Sequence, residues 1–375
     1  MFGKKVRLVN LLGFEVSIDF SWIFIAILVS WSLSTGFFPS EYKNLPIRTY
    51  WVMGIVAALG LFLSIIIHEF SHSLVARTQG MQMKGITLFI FGGVAEMGEE
   101  PPDPKAEFLM SVVGPLSSVA IGLAFYGLYS LGVHNDWPTP AVGVFKYVAI
   151  INGLLAAFNL IPAFPLDGGR VLRSLLWQMR GNLEWATRIS SQIGSLFAMF
   201  LIGFGFFRMF YGNLLGGMWM ILIGLFLQNA ANMSYRQVVT RKVLEGEPVS
   251  RFMKSEPITV EPSISIEQLL EDYFYRFHFK MFPVVDAGRL IGCVTVKQVK
   301  EVPREERSYK TVGDLRMECS PENTVGPDED AMKVLSAMNR TGMSRIMVVE
   351  DGRLIGIITL KDMLSFLSMK LELEE

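Results

Sequence analysis

Six stretches of this chain run with almost no charged residue for roughly the length of a bilayer crossing, and beyond Ala230 the chain returns to mixed apolar and charged positions. The stretches are approximately Phe20–Phe38, Thr49–Ile67, Phe108–Leu131, Ala141–Asn159, Ile189–Phe207 and Leu214–Ala230. A helix of about 20 apolar residues spans a hydrocarbon core of about 30 Å. The fourth and sixth are short or broken by glycine. Val6–Ile18 and Met83–Met97 read instead as strand-like pieces flanking the membrane segments. From Val249 the pattern becomes helix, strand, turn, strand, helix, and does so twice.

The doubling is visible position by position. Phe282–Val299 aligns without gaps on Ile346–Met363, with nine of eighteen residues identical, which argues duplication. The expected architecture is a polytopic α-helical membrane domain of about six transmembrane helices with small membrane-associated β elements, followed by an α/β pair of repeats. The expected boundaries are 1–232 for the membrane domain, 233–248 for a basic helical linker, and 249–375 for the repeats, divided at about 249–305 and 306–370.

Composition agrees with two unlike parts. Of the 375 residues, 51% are hydrophobic and 18% charged, and the mean hydropathy is +0.39. That is too apolar for a soluble protein, while the C-terminal part is too charged to lie in a membrane. A net charge of −1 offers no basic footprint, so nucleic acid is not an expected partner. Cys293 and Cys319 both fall in the polar part and suggest no disulfide scaffold. The run from Phe20 is too long for a signal-peptide core and reads as a retained helix. In the short loops, one side gathers Lys4, Lys5, Arg7, Arg77, Lys84, Lys105, Arg170 and Arg173 among others, against only Lys43, Arg48 and Arg208 on the other. The bias puts both termini in the cytoplasm, with the protein multi-pass in the cell membrane, and a prokaryotic cell is expected.

With that topology the second stretch runs inward and ends in His68-Glu69-Phe70-Ser71-His72. Positions i and i+4 share a helix face, so both imidazoles can reach one metal ion while Glu69 flanks it. Zinc held by two histidines needs a third protein ligand and keeps a fourth position for water when the site is catalytic. Thr49 to His72 makes about 36 Å of helix, so the site belongs in the inner third of the membrane, within reach of cytoplasmic water. The fourth stretch also runs inward and ends in Asn159-Leu-Ile-Pro162-Ala-Phe-Pro165-Leu-Asp167-Gly168-Gly169-Arg170. The prolines cannot continue a helix, and the glycines permit tight turns. Asp167 arrives at the depth of the histidines and is the expected third ligand, the alternative being an ordinary Asp-Gly turn. Asn159 is expected to bond substrate backbone or polarise the scissile carbonyl, the alternative being a helix cap. His134 and His278 read as ordinary histidines.

These residues carry a resemblance. HEFSH and NLIPAFPLDGG resemble the HExxH and NxxPxxxxDG signatures of the site-2 protease family of intramembrane zinc metalloproteases. Phe91-Gly92-Gly93-Val94-Ala95 is similar to the family's FGGVA region, and Ser111-Val-Val-Gly114-Pro115 to the start of its SxxGPxxN motif, with Ser118 standing where Asn is common. The resemblance covers roughly Val6 to Ala230. No PDZ-like insertion is present, as in the branch of the family that carries C-terminal CBS domains. It implies one Zn2+ per chain on His68, His72 and Asp167. Glu69 would take a proton from zinc-activated water that attacks the substrate carbonyl, and then protonate the leaving amine. The resemblance further implies a membrane-spanning protein substrate in the lipid bilayer, cut within or near its transmembrane segment, as in regulated intramembrane proteolysis. A helical substrate must be unwound first, and an edge of the strand-like pieces could hold it extended; otherwise the sheet merely caps the domain.

The repeats resemble paired CBS domains over about Val249 to Leu367. That family often holds an adenine nucleotide's ribose with Thr/Ser-x-x-Asp after the second strand. The second copy has Thr359 and Asp362, whereas the first has Thr295 but Gln298. ATP or AMP is thus expected at the second copy, the alternative being a structural pair or a homodimer interface. A CBS-regulated membrane transporter or channel is the competing function. A transport site needs ligands but no general base, and a structural zinc would want four protein ligands, so Glu69 favours proteolysis.

Overall fold

The structure is a computed structural model and describes residues 5–11, 13–81, 83–90, 92–97 and 100–374. It divides into two compact units, Met1–Val238 and Val239–Glu375.

Among the described residues, six helices are long and apolar enough to cross a membrane, the sixth continuing past Val238. They are α1 (Phe20–Glu41), α2 (Ile47–Thr78), α3 (Pro104–His134), α4 (Thr139–Asn159), α6 (Leu183–Phe210) and α7 (Leu214–Leu244). Polar residues set their starts. Asp19 accepts from the Ser21 amide, Asp103 from Ala106 and Asn182 from Trp185, each satisfying an end-turn N–H. The sixth, read from sequence as short or broken by glycine, is a continuous helix of 31 residues. Its glycines serve close packing instead: a Cβ at Gly217 would lie 2.5 Å from the Gly205 carbonyl oxygen, and one at Gly224 would lie 2.8 Å from that of Ala198. Small residues let membrane helices approach backbone to backbone.

The burial pattern of these helices is inverted relative to a soluble bundle. Phe24, Leu59, Leu123, Leu196 and Phe200 are more than half exposed, whereas Ser64, Ser111, Ser118, Asn152, Thr187 and Ser190 are buried. Apolar groups facing outward and polar groups inward suit a lipid solvent, in which backbone polar groups must be satisfied within helices.

Both strand-like pieces are hairpins, and they join into one sheet of order β1 (Lys5–Leu11), β2 (Phe14–Asp19), β3 (Met83–Phe89), β4 (Gly92–Met97). The central β2–β3 pair is parallel, with Val16 opposite Ile86, and the outer pairs are antiparallel. Phe14, Val16, Ile86 and Leu88 are buried. Phe91 of the expected FGGVA region lies outside the described residues. One element was not expected at all: α5 (Asp167–Arg180), which begins immediately after the proline segment and ends at Gly181 with φ 66°.

In the second unit, β5 (Lys254–Ser255) pairs with the hairpin of the second copy. The first copy contributes β6 (Met281–Asp286) and β7 (Arg289–Thr295). After the short β8 (Thr324–Val325), the second contributes β9 (Arg345–Glu350) and β10 (Arg353–Thr359). Both hairpins turn through two residues of positive φ, Ala287-Gly288 and Asp351-Gly352. This is the requirement of a two-residue type I′ connection. Met281, Cys293 and Met347 share one buried cluster, so the copies pack on each other.

Candidate metal centre

Because α2 runs unbroken through HEFSH, its last turns present His68 and His72 one above the other, 3% and 8% exposed. Each ring is held from behind by α3. His72 Nδ1 lies 2.6 Å from the Met110 carbonyl oxygen. A carbonyl only accepts, so Nδ1 carries the proton and the Nε2 lone pair points the other way. His68 Nδ1 lies 2.9 Å from Ser118 Oγ, buried alongside it. Ser118, the position that departs from the family pattern, thus touches a histidine of the site.

The two Nε2 atoms face each other at 3.2 Å. Asp167 Oδ2 completes a triangle, 3.0 Å from His68 Nε2 and 3.3 Å from His72 Nε2. Among the described residues these three form a group able to hold a metal ion. Tetrahedral donors at zinc's usual bond length of about 2.0–2.1 Å stand about 3.3 Å from one another, so the donor set fits zinc. Gly114 of α3 makes the room. A Cβ there would lie 2.2 Å from His72 Nε2 and 2.8 Å from His68 Nε2, so any side chain would collide with the imidazoles.

Asp167 is the first residue of α5, and the glycines after it are helical. Their need is close approach, not the turn expected from sequence. A Cβ at Gly168 would lie 2.3 Å from the Leu160 carbonyl oxygen, and one at Gly169 would lie 2.2 Å from the Phe164 amide nitrogen. The 160–166 segment therefore folds tightly against the start of α5 and brings the carboxylate to the histidines.

Glu69 and Asn159 line the same cavity as the three donors, a space of about 470 Å³. Asn159 is the last residue of α4. Apolar walls come from α1 (Trp22, Ile25), α7 (Trp219, Phe226) and β3 (Leu88, Phe89). The edge strand β4 reaches Glu69: a Cβ on Gly93 would lie 2.6 Å from Glu69 Cγ. Sequence reasoning missed Glu107 and Arg173, both fully buried and ion-paired with each other. Their signal is visible only in retrospect, as Glu107 stands on the helical stripe that leads to Met110, Gly114 and Ser118.

In the second unit, Thr359 Oγ1 donates to Asp362 at 2.5 Å, and Lys254 Nζ of β5 lies 3.1 Å from the same carboxylate. Gln298 is engaged internally, accepting from the Thr295 amide at 2.8 Å and donating to the Leu315 carbonyl at 2.6 Å.

Comparison with known proteins places this constellation. The model of peptidase family M50 matches residues 56–201, and the CBS-domain model matches 249–305 and 312–369. The Mycobacterium tuberculosis protein Rip3 is 32% identical over 359 residues, covering 95% of this chain and 91% of its own. Zinc metalloprotease MJ0392 of Methanocaldococcus jannaschii is 30% identical over 375 residues, covering 99% and 98%. The chain belongs to the site-2 proteases, peptidase family M50. The solved site-2 protease from Methanocaldococcus jannaschii aligns at 26% identity and a TM-score of 0.43, over 61% of this chain and 94% of that one. The M50 match spans the helices that carry His68, Glu69, His72, Ser118, Asn159 and Asp167. This site-2 protease is a multi-pass membrane zinc metalloendopeptidase with paired CBS domains.

Proposed function

We propose that His68, His72 and Asp167 hold the zinc ion, and that the chain hydrolyses a peptide bond within or near the transmembrane segment of a membrane protein. Zinc, when bound, supplies Lewis acidity toward the scissile carbonyl and acidifies water. Glu69, on the wall of the same cavity, accepts the proton of the attacking water and delivers it to the departing amine. Asn159 holds the substrate backbone from the end of α4. The apolar walls from α1 and α7 accept the substrate's lipid-facing side chains. The edge of β4, whose Gly93 packs against Glu69, pairs with the substrate in extended form, exposing carbonyls that a helix would bury in its own hydrogen bonds.

The functional division is 1–232 for catalysis, 233–248 as linker and 249–375 as CBS pair, with both termini in the cytoplasm of a prokaryote. Thr359 and Asp362 are the residues for an adenine nucleotide, ATP or AMP, and the CBS pair is also the surface available for a homodimer. The observation that carries the reading is the triangle of two imidazole nitrogens and one carboxylate oxygen in a cavity that also contains an additional carboxylate, Glu69. A transport site would have no use for that fourth group. The test is co-expression with candidate single-span membrane proteins, comparing the native chain with Glu69→Gln. A shortened product only with the native chain is expected, with cleavage lowered about 10²- to 10⁴-fold in a Gln variant that still holds zinc. Undiminished cleavage by the variant would remove Glu69 from the reaction.

A further inference from the structure

Packing, not a side-chain cap, holds Asp167 in place. Asp167 is the first residue of a 14-residue helix whose N-cap, Leu166, provides no side-chain hydrogen bond. First turns fray unless something fixes them. Six residues on, Arg173 is 1% exposed. Its Nε donates to Glu107 Oε1 at 2.6 Å, its Nη2 reaches the same carboxylate, and Nη2 lies 3.2 Å from Glu100 Oε2. The guanidinium also lies 5.0 Å from the ring centre of Phe164, in the segment that precedes Asp167. Arg173 thus ties both α5 and its entry segment to α3.

The anchoring point on α3 is not arbitrary. Glu107, Met110, Gly114 and Ser118 are spaced by three, four and four residues, which places them on one face of the helix. Along that face the Met110 carbonyl fixes His72, Gly114 leaves room for both rings, and Ser118 meets His68. Glu107 extends the same face to the third donor. A buried ion pair is a poor source of stability, because well-packed apolar residues in its place are often as stable or more so. What two guanidinium donors converging on one buried carboxylate oxygen, Glu107 Oε1, provide is direction.

We infer that the Glu107–Arg173 pair is a positioning device for Asp167, so that a single face of α3 sets all three donors of the metal centre. The inference rests on the reading of Asp167 as a ligand. A shift of α5 along α3 would move Asp167 Oδ2 off the triangle while the rest of the fold remained.

The experiment uses the full chain in detergent, stripped of metal and reloaded with zinc or cobalt. Three variants are compared with it: Arg173→Lys, which keeps the charge and loses the two converging donors; the double variant Glu107→Leu with Arg173→Met, which replaces the pair by apolar side chains; and Asp167→Ala as reference. Zinc affinity is read by chelator competition, donor geometry by the visible absorption of the cobalt form, and folding by the Tm of the metal-free protein. Both Arg173 variants are expected to bind zinc about 10- to 100-fold more weakly, as when a ligand's supporting group is lost. Their cobalt bands should shift toward those of Asp167→Ala, with the metal-free Tm of the double variant near or above that of the native chain. Native zinc affinity and cobalt bands in the folded double variant would overturn the inference while leaving Asp167 as ligand. Native affinity in Asp167→Ala itself would overturn the ligand reading and the inference with it.

Discussion

Each imidazole of the metal centre is used at both nitrogens, and this determines what individual substitutions should do. Ser118→Ala removes the partner of His68 Nδ1 without touching a donor. It should weaken zinc about tenfold or more and leave the Tm of the metal-free protein little changed, as measured by chelator competition. Asp167→Ala removes a donor and should lose zinc and activity together. Asn159→Ala should slow cleavage while metal content stays near normal, because Asn159 lines the cavity without joining the triangle. A full zinc complement in Asp167→Ala, or zinc loss in Asn159→Ala, would reverse those assignments. The meeting of His68, His72 and Asp167 was legible in the sequence because HExxH spacing on a helix leaves two imidazoles little freedom, and the proline-broken segment ends at their depth with a carboxylate. Ser118 and Arg173 were not. Their partners stand 50 and 66 positions away, and only the packing of α2 and α5 against α3 creates those pairs.

Among the elements, two glycines mark where backbones crowd the site, and they should fail differently. At Gly114, α3 passes beneath the imidazoles, so Gly114→Ala puts a methyl group 2.2 Å from His72 Nε2 and should abolish zinc binding. At Gly93, β4 passes Glu69, so Gly93→Ala displaces the carboxylate but no donor. Zinc should then remain while the cleavage rate falls, with metal analysis and single-turnover proteolysis separating the two. Equal zinc loss in both variants would mean that β4 supports the donors rather than the base. The membrane helices themselves were readable from apolar runs, since lipid demands continuous helices of a set length. α5 escaped notice because it is 14 residues long and carries Asp167, Arg170, Arg173 and Arg180, a charge density that hides it from any search for apolar spans. The glycines of α7 misled in the opposite direction. They resemble breaks in a linear reading and become contact points once α6 lies against them.

The two copies of the CBS pair are not equivalent in chemistry. The duplication was plain in sequence, and so was the contrast of Asp362 with Gln298. What the fold adds is that Gln298 is already consumed, bonded to the Thr295 amide and the Leu315 carbonyl, whereas Asp362 holds Thr359 and the exposed Lys254. An ammonium on a largely exposed stem can swing away at little cost, since surface ion pairs contribute about 0–1 kcal/mol. A ribose can then take the carboxylate, and Lys254 is free to meet a phosphate. Titration calorimetry on the full chain in detergent should therefore detect ATP or AMP. Asp362→Ala should weaken it at least tenfold, the order expected for a charged hydrogen-bond acceptor. Gln298→Ala should leave it nearly unchanged. A bound nucleotide can alter proteolysis only by favouring one arrangement of the chain over another, so the same titration repeated with a cleavable substrate tests the coupling. Silence toward both nucleotides at millimolar concentration would leave the repeats as a dimerising or docking module, and the metal centre would then work without a nucleotide signal from them.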